Sequence, residues 1–372
     1  MLKRQIGTMK FAFLRKILIA ITNPLLGIFS RKLQEDLAKW NPKKLLVISL
    51  THLGDSILLL SFLESMKNEW PFAAIDIVVK EGVQEIFVHA KGVETVICYD
   101  APWVTGRKVG IDVLRKICAL VWKLRKSPYD GVFVTNYHLY SNLLAWLSGC
   151  PIRIGYAIEG DLFLNVIVPH SFYDTHAMHR PVNMLRWIRK SDIKVPELRI
   201  DISTAADEWA EKMFQERNIN CAIGIHPGSG GRQKVWPAEK FAFVVNEVLK
   251  KIPRITIILF GNRLEEQAAS IITSSVSEYW KSRLINLCNI TSIQQMAAVM
   301  KRCHLVLVND SGPMHIAVAV RVRGIALFGP SNQKIWAPLS WNWITLIPRD
   351  GSQSIASIDE VFVAQTILNE CS

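Results

Sequence analysis

The chain has 372 residues, of which 50% are hydrophobic, and it carries a formal net charge of +12 at pH 7. A chain of this length and composition can bury a large core, and its length favours two domains over one. The positive charge favours an anionic partner, which can be a nucleic acid, a phosphorylated small molecule or an acidic membrane surface. Seven scattered cysteines without a C-x-x-C pair argue against a disulfide framework and a zinc site, and they indicate a reducing compartment.

Residues 1–42 form a leader that is both basic and apolar. Seven Lys and Arg residues precede the first acidic residue, Glu35, and apolar residues lie between them. This pattern is typical of a segment that lies on a membrane surface. A membrane span needs about 20 apolar residues, and Arg15 and Lys16 interrupt the leader too early for one. The alternative is a terminal helix that packs on its own protein.

Residues 43–205 alternate between short apolar runs and longer helical patterns. The predicted strands are Leu45–Leu50, Ile75–Val79, Thr95–Tyr99 and Gly131–Thr135, and the predicted helices are Ile57–Asn68, one from Val83, and Ile111–Lys126. Successive βα units of this kind predict a parallel sheet with helices on both faces. A polar stretch with Pro181 and Pro196 follows, and we place the junction to a second domain near residues 195–210.

Residues 206–350 repeat the alternation. The predicted strands are Ala222–His226, Thr256–Phe260, Leu284–Asn286, Leu305–Val308 and Gly324–Phe328, and the predicted helices are Ala238–Lys251, one from Glu265, and Ser292–Lys301. Residues 351–372 are predicted to form a C-terminal helix. In open parallel sheets ligands bind beyond the carboxyl ends of the strands, so we expect a cleft between two α/β domains.

A polar turn at Thr51–Ser56 follows the first predicted strand. Gly54 lets the backbone approach a ligand closely, and the carboxylate of Asp55 can take a proton from an attacking hydroxyl. The alternative is a structural role, because Asp is a favoured helix N-cap and an apolar helix follows.

The segment HPGSGGRQKVWP at residues 226–237 follows the first strand of the second half. Its glycine-rich turn suits phosphate oxygens through backbone N–H groups, and Lys234 adds a mobile positive charge. The spacing of a Walker A loop is missing. The alternative is a flexible surface loop with incidental charge.

The turn NDSGPMH at residues 309–315 combines an acid, a hydroxyl and His315 at a helix start. Backbone N–H groups of Gly312 and Met314 suit an anion there, and a histidine can donate to a phosphate oxygen. Glu265, which follows the Thr256–Phe260 strand, can accept hydrogen bonds from ribose hydroxyls. Its alternative is a solvated glutamate in the first turn of a helix.

Together these motifs resemble glycosyltransferase family 9, the ADP-heptose:lipopolysaccharide heptosyltransferases. The resemblance spans residues 43–345 and rests on motifs in the family's order, GDSILLLSFLESMKNEWPFAAIDIVV, HPGSGGRQKVWPAEKFA, NDSGPMHIAVAV and LFGPSNQKIWAP. It implies a GT-B fold, in which two Rossmann-like domains face each other across a cleft. The first domain would bind mainly the acceptor and the second the nucleotide-sugar, and the C-terminal helix often returns to the first domain.

The resemblance also implies roles for individual residues. Asp55 matches the family's general base, and Lys234 matches the lysine that neutralises the sugar diphosphate. The implied nucleotide-sugar contacts further include Ser229, Gly230, Glu265, Asp310, Ser311, Gly312 and His315. Ser61 stands where many members have proline, and residues 319–324 depart from the usual Ala-Leu-Gly-x-Pro, so the particular donor and acceptor stay open.

These observations predict an inverting transfer of a heptose or related sugar from an ADP-sugar to a hydroxyl of a lipopolysaccharide core or related glycan. The absence of a D-x-D pair or histidine cluster predicts metal independence, and no cofactor is expected besides the donor. The expected acceptor is a lipid-linked, phosphorylated glycan, with Arg153 and Arg180 as candidate contacts to its phosphates. We expect a cytoplasmic protein that binds the anionic inner face of the cytoplasmic membrane.

Two alternatives explain part of the same pattern. A GT-B sugar-nucleotide epimerase or hydrolase would share the nucleotide site but would need neither an acceptor hydroxyl nor a membrane-facing leader. A basic anion-binding protein without enzymatic activity would explain the charge. Nucleic acid is not an expected partner, because the basic residues are not interleaved with aromatic residues along one patch and no binding motif occurs.

Overall fold

The computed structural model describes residues 37–101, 111–156, 158 and 160–371, which divide into two compact units. Unit 1 comprises the chain up to Thr51 and the segment Ser61–Pro196, and unit 2 comprises His52–Leu60 and the chain from Glu197. The predicted membrane leader lies almost entirely outside the described residues. The division at Pro196 falls close to the predicted domain junction.

Unit 1 is built on a parallel six-stranded sheet with the order β3-β2-β1-β4-β5-β6. The strands are β1 (Lys44–Ser49), β2 (Ala74–Lys80), β3 (Val93–Tyr99), β4 (Gly131–Val134), β5 (Ile152–Tyr156) and β6 (Val166–Val168). The sequence of β1, KLLVIS, is apolar at nearly every position, because helices cover both faces of a parallel sheet.

Helix α1 (Leu53–Leu58) follows β1 but belongs to unit 2. The helices of unit 1 are α2 (Leu60–Glu69), α3 (Ile111–Arg125), α4 (Leu139–Leu147) and α5 (His179–Arg189). Short 3-10 helices occur at Gln84–Ile86, Asp161–Phe163 and His170–Phe172. Leu120 and Leu124 of α3 pack in a core with Ile48, Val78 and Val132 of the sheet.

Unit 2 has a second parallel six-stranded sheet, with the order β12-β11-β10-β7-β8-β9. Its strands are β7 (Ala222–His226), β8 (Thr256–Leu259), β9 (Leu284–Asn286), β10 (Leu305–Asn309), β11 (Gly324–Leu327) and β12 (Trp343–Leu346). Its further helices are α6 (Thr204–Glu216), α7 (Ala238–Lys251), α8 (Glu266–Ser275), α9 (Ile293–Arg302), α10 (Gly312–Ala319), α11 (Gln333–Trp336) and α12 (Glu360–Glu370). Unit 2 also has 3-10 helices at Arg232–Lys234, Glu278–Arg283 and Ile355–Ser357.

The two sheets share one topology. When the strands of each unit are numbered separately, both orders become 3-2-1-4-5-6. This is the order of the dinucleotide-binding fold, in which ligands bind beyond the carboxyl ends of the first and fourth strands. The predicted α/β class with two Rossmann-like domains is therefore confirmed.

Several elements differ from the sequence-based prediction. The single helix predicted at Ile57–Asn68 is two helices, α1 and α2, and the helix predicted from Val83 is only a 3-10 turn. Strands β5, β6 and β12 were not predicted, because short apolar runs carry little periodicity. The stretch predicted to be polar around Pro181 contains α5, and Pro181 lies in its first turn, where a missing N–H is tolerated.

The C-terminal helix α12 packs in unit 2, against α7. Its apolar side chains Val363, Ala364 and Ile367 belong to the same core as Val245 of α7. An ion pair between Lys240 Nζ and Glu360 Oε2, 2.8 Å apart, joins the two helices at their first turns. Among the helices of the described chain, none is long and apolar enough to cross a membrane.

Candidate active site

Two loops of unit 2 meet where β7 and β10 end side by side in the sheet. The side chain of Asn309, the last residue of β10, is fully buried between them. Its Nδ2 donates to the carbonyl oxygens of Pro227, at 2.9 Å, and Gly228, at 3.3 Å, and its Oδ1 accepts from the backbone N–H of Trp236 at 3.4 Å. Asn309 therefore holds both ends of the 227–236 loop from within.

Asp310 is the next residue, and it joins this loop through two further contacts. Its Oδ2 lies 2.8 Å from Lys234 Nζ, and the two side chains are 6% and 32% exposed, respectively. The hydroxyl of Ser229 donates to the Asp310 carbonyl oxygen at 2.8 Å. Two residues predicted to bind the nucleotide-sugar, Ser229 and Lys234, thus both contact a third, Asp310. These contacts favour the prediction over the alternative of a flexible surface loop with incidental charge.

Glu265 is buried beneath the same loop. Its Oε2 accepts from the backbone N–H of Asn262 at 2.8 Å, and burial raises the pKa of the carboxyl group. A Cβ atom on Gly228 would overlap Glu265 Oε1, and one on Gly261 would lie 2.5 Å from Glu265 Cβ. Both glycines are therefore needed for this packing, and the alternative of a solvated helix glutamate is wrong.

Gly230 differs from Gly228 in its surroundings. A Cβ atom on Gly230 would meet no heavy atom of the described chain within 4 Å, and the residue is exposed. Its backbone does not adopt a positive φ. Neither packing nor conformation within the described residues thus requires glycine at this position.

Helix α1 packs against the start of α10 within unit 2. A Cβ atom on Gly312 would lie 2.7 Å from Leu53 Cγ, and one on Gly54 would lie 3.2 Å from His315 Cδ2. Since neither residue has a side chain, the two helices approach each other closely. This packing places the turn that carries Asp55 next to His315.

Asp55 lies in the first turn of α1 and is partly exposed. The N-cap position is occupied by His52, so the alternative in which Asp55 caps the helix is wrong. An acidic side chain in the first turn is still stabilised by the helix dipole. The carboxylate is therefore held at a helix start with access to solvent.

Ser311 occupies the N-cap position of α10, but its hydroxyl does not cap the helix and donates instead to the Asn309 carbonyl oxygen at 3.1 Å. The N–H group of Met314, predicted to bind an anion, instead donates to the Ser311 carbonyl oxygen at 3.1 Å. Gly312 is partly exposed, whereas His315 is buried. The backbone N–H of Gly312 and the His315 ring remain the candidate donors of this turn.

His226, the last residue of β7, is a buried histidine that the sequence analysis did not select. Burial lowers its pKa to about 4, so the imidazole is neutral at physiological pH. Its Nδ1 has no hydrogen-bond partner within the described chain. Like Asn309, it is a polar residue at the end of an otherwise apolar strand. This position in the sequence is the feature from which its place beside the site could have been predicted.

Arg153, one of the two arginines predicted to contact the acceptor, ties β5 to neighbouring loops of unit 1. Its Nε donates to the carbonyl oxygen of Phe163 and its Nη1 to that of Cys150, both at 2.8 Å. It lies near the amino end of β5, whereas ligands of parallel sheets bind at the carboxyl ends. This placement favours a structural role, and the acceptor contact stays a prediction.

Arg180, the second predicted acceptor contact, lies near the carboxyl ends of the strands of unit 1. The hydroxyl of Tyr156, at the carboxyl end of β5, donates to the Arg180 carbonyl oxygen at 2.5 Å. The guanidinium is buried against Tyr173, with its Cζ 3.9 Å from the ring centroid, and its Nε donates to the Tyr173 carbonyl oxygen at 3.1 Å. Arg180 is thus held by tyrosines at the carboxyl ends of the unit 1 strands, and its contact with the acceptor stays a prediction.

Within the described ranges, no group of three or more His, Cys, Asp and Glu side chains is arranged to hold a metal ion. Metal independence stays a prediction, as do the roles of the individual site residues.

The family model of glycosyltransferase family 9 (heptosyltransferase) matches residues 117–354, more than half of the chain. The chain belongs to glycosyltransferase family 9. The matched range contains both loops of unit 2 and begins after Asp55. The prediction of a glycosyltransferase enzyme, made from the order of these motifs in the sequence, is therefore confirmed.

Individual relatives agree with this membership. The lipopolysaccharide heptosyltransferase 2 of Escherichia coli (strain K12) is 24% identical over 311 residues, which cover 80% of this chain and 86% of the relative. A family 9 glycosyltransferase from Veillonella parvula DSM 2008 superposes with a TM-score of 0.77 at 23% identity, covering 89% of this chain and 97% of that one. The E. coli ADP-heptose lipopolysaccharide heptosyltransferase II gives 0.75 at 22% identity, with coverages of 88% and 98%. These structures confirm the GT-B fold class.

Proposed function

We propose that the protein transfers a heptose, with inversion, from ADP-heptose to a hydroxyl group of a lipopolysaccharide core glycan. Family membership and the names of the relatives support the reaction class, the donor and the acceptor. The observation that carries the proposal is the packing of α1 on α10 at Gly54 and Gly312. Because Asp310 of the same turn holds Lys234, a candidate base and a candidate diphosphate-binding cation converge on one turn.

In this reaction the acceptor hydroxyl oxygen attacks the anomeric carbon of the heptose on the face opposite the diphosphate. The new C–O bond forms as the bond to the diphosphate oxygen breaks, and ADP leaves with that electron pair. Asp55 accepts the hydroxyl proton, which makes the oxygen a better nucleophile in the transition state. The Asp55 carboxylate lies in the first turn of α1 and is partly exposed, so an acceptor hydroxyl can reach it.

The negative charge that develops on the departing ADP is stabilised by fixed donors. Lys234 supplies a cation, and the backbone N–H of Gly312 and the ring of His315 supply donors at the start of α10. Asp310 and Ser229 hold the loop that carries Lys234. The Lys234 ammonium group is therefore oriented before the nucleotide-sugar binds. We propose that this preorganised charge takes the place of a metal ion.

The remaining contacts divide between the units. In unit 2, the exposed Gly230 lets the backbone approach the diphosphate, and Glu265 accepts hydrogen bonds from the ribose hydroxyls. In unit 1, we propose that Arg180 contacts the phosphorylated, lipid-linked acceptor. A cytoplasmic protein bound to the inner membrane face would meet such an acceptor.

The test is product analysis by mass spectrometry, with the full-length protein, ADP-heptose and a heptose-deficient lipopolysaccharide core. We expect heptosylated core and ADP in equal amounts, formed only when both substrates are present. Asp55→Asn should lower kcat by about 10²–10⁴-fold and leave ADP binding intact, because general base catalysis contributes about that much. Lys250→Ala, an exposed substitution on α7, is the matched control and should have no effect.

Other outcomes favour the alternatives. Release of ADP at the same rate with and without acceptor would identify a hydrolase, and an isomerised ADP-sugar would identify an epimerase. If ADP produces no thermal stabilisation at saturating concentration, the donor assignment is wrong.

A further inference from the structure

Helix α3 presents two chemically different faces in unit 1. One face is buried, where Leu120 and Leu124 pack in the core. The opposite face carries Leu114, Cys118 and Trp122, which are four residues apart and therefore form one row along the helix. All three are exposed, with Leu114 at 55% and Trp122 at 63%. A row of large apolar side chains in water is unusual for a surface helix that serves only its own core.

Basic residues lie along one side of this row and at its carboxyl end. At about 100° per residue, Arg115 and Lys126 lie within about 80° of the row and Arg125 lies in line with it, whereas Lys116 and Lys123 lie about 140–160° away. The exposed cations of α3 and the residue after it are Arg115, Lys116, Lys123, Arg125 and Lys126, and the one acid in this stretch is Asp112. The Nζ atom of Lys126 lies 3.4 Å from the centroid of the Trp122 ring. This contact keeps a charged amine beside the exposed indole, so the apolar row and the positive charge form a single surface.

The surface continues onto α4. Nε of Arg125 donates to the Leu147 carbonyl oxygen at 2.8 Å, which joins the carboxyl ends of the two helices. Trp146, the preceding residue, is half exposed, and its ring lies near Phe163 with the ring planes tilted by 44° and the centroids 6.0 Å apart. A second indole therefore lies beside the basic end of α3.

We propose that this surface, the α3 docking face (Leu114, Cys118, Trp122, Arg115, Arg125 and Lys126), binds unit 1 to an anionic phospholipid bilayer. Indoles and leucine would enter the boundary between head groups and acyl chains, while Lys and Arg would lie at the lipid phosphates. The proposal deepens the proposed function, since it rests on an acceptor that is anchored in a membrane. It also adds a membrane contact in unit 1 that is separate from the leader.

Charge complementarity selects this occupant over others. The leader carries seven basic residues before its first acid, so it would be repelled by the three cations of the α3 docking face. A nucleic acid would suit the cations and the indoles but would leave Leu114 and Cys118 without apolar contacts. A bilayer with acidic head groups satisfies the apolar and the cationic groups together.

The test is co-sedimentation of the full-length protein with vesicles of phosphatidylcholine alone and of phosphatidylcholine mixed with phosphatidylglycerol. We expect binding only to the mixed vesicles, and weaker binding as salt is raised. The double substitution Arg115→Glu/Lys126→Glu should lower the partition coefficient at least about tenfold, because each basic residue near an anionic surface contributes measurably. Trp122→Ala should lower it about threefold or more through lost apolar burial.

Matched controls come from exposed residues of unit 2. Lys250→Glu/Arg254→Glu changes the net charge by the same amount, and Trp341→Ala removes an indole that is 97% exposed. Both should leave vesicle binding unchanged. Circular dichroism melts of every variant establish that the fold is intact.

Docking and catalysis are separated by a second assay with a water-soluble, delipidated acceptor. The α3 variants should keep full transfer to this acceptor, whereas failure of all proteins in this assay would count against the proposed function and leave the docking result intact. Vesicle binding by the α3 variants equal to that of the unsubstituted chain would overturn the docking proposal. So would variants that lose binding to a single-stranded RNA oligonucleotide while they keep binding to the vesicles, because the surface would then be a nucleic-acid site.

Discussion

The two sheets have the same strand order, yet their carboxyl edges carry different chemistry. In unit 2, an ion pair and buried amide contacts connect the loops after β7 and β10. In unit 1, Asn136 after β4 accepts from the Leu50 N–H at 3.4 Å and donates to the Ser141 hydroxyl at 2.7 Å, and tyrosines pack nearby. The scaffold therefore fixes where a ligand can bind, and the residues of the loops decide which ligand that is.

The stability of unit 2 should depend more strongly on acid pH than that of unit 1. The first strand of unit 2, β7, ends in the buried His226, whereas the first strand of unit 1, β1, ends in Ser49. The pKa of His226 is lowered to about 4, so the unfolded chain binds a proton below pH 6.5 that the folded chain does not. The free energy of unfolding should fall as pH is lowered from about 6.5 to about 4, by about 3 kcal/mol in total. Urea titrations across this range measure it.

A His226→Gln variant should lose this part of the pH dependence, whatever its stability at pH 7. Glu265 acts in the opposite direction, because its raised pKa means that protonation relieves the cost of burying the carboxylate. An unchanged slope in His226→Gln would show that the acid sensitivity originates elsewhere.

The close packing of α1 on α10 can be disrupted by one methyl group. In Gly312→Ala the new Cβ would lie 2.7 Å from Leu53 Cγ, so α1 and Asp55 must move. We expect kcat to fall about a hundredfold, since a displacement of about 1 Å in a catalytic group has that effect. Gly54→Ala is the graded control: its Cβ would lie 3.2 Å from His315, so its effect should be smaller. Equal activities would contradict the proposed position of Asp55.

The ion pair between Lys234 and Asp310 should contribute both to the stability of the protein and to binding of the nucleotide-sugar. Lys234→Ala leaves the buried carboxylate of Asp310 without its cation, which should lower the free energy of unfolding by about 2 kcal/mol, less than for a fully buried pair because Lys234 is partly exposed. It should also weaken ADP binding, measured by calorimetry. The double variant Lys234→Ala/Asp310→Asn should recover stability but not affinity; recovery of both would remove Lys234 from the diphosphate site.

Substitutions of Gly228 and Gly230 compare a glycine that packing requires with one that only a ligand would require, within the same loop. Gly228→Ala would push a methyl group into Glu265, and such overpacking should lower the free energy of unfolding by about 1–2 kcal/mol. Gly230→Ala should leave thermal stability unchanged and weaken ADP binding a few-fold, because only a bound ligand would contact the new methyl group. A loss of stability in Gly230→Ala, measured by calorimetry, would show that packing explains this glycine.

The sequence predicted much of this arrangement because its signals are local. Ser229, Lys234 and Asp310 stand in short polar turns after apolar runs, and that position is enough to place them at one sheet edge. Burial is not a local signal. His226 and Asn309 end apolar strands and were not chosen as site residues. Glu265 is buried because Gly261, four residues before it, and Gly228, far away in the sequence, leave room for it. Arg153 was selected for its charge, whereas its location at the amino end of β5 depends on a strand that the sequence analysis did not predict.

Helix α1 is encoded between β1 and α2 of unit 1 but packs with unit 2. During synthesis on the ribosome, Gly54 emerges long before its partner Gly312, so α1 must wait for nearly the whole chain before it can be buried. Contacts of such large sequence separation form late, after the closure of a long loop. A truncated or stalled chain could therefore complete the sheet of unit 1 and still lack the packing that positions Asp55. Transferase activity would then appear only in the finished polypeptide, which protects the donor sugar from wasteful cleavage by nascent fragments.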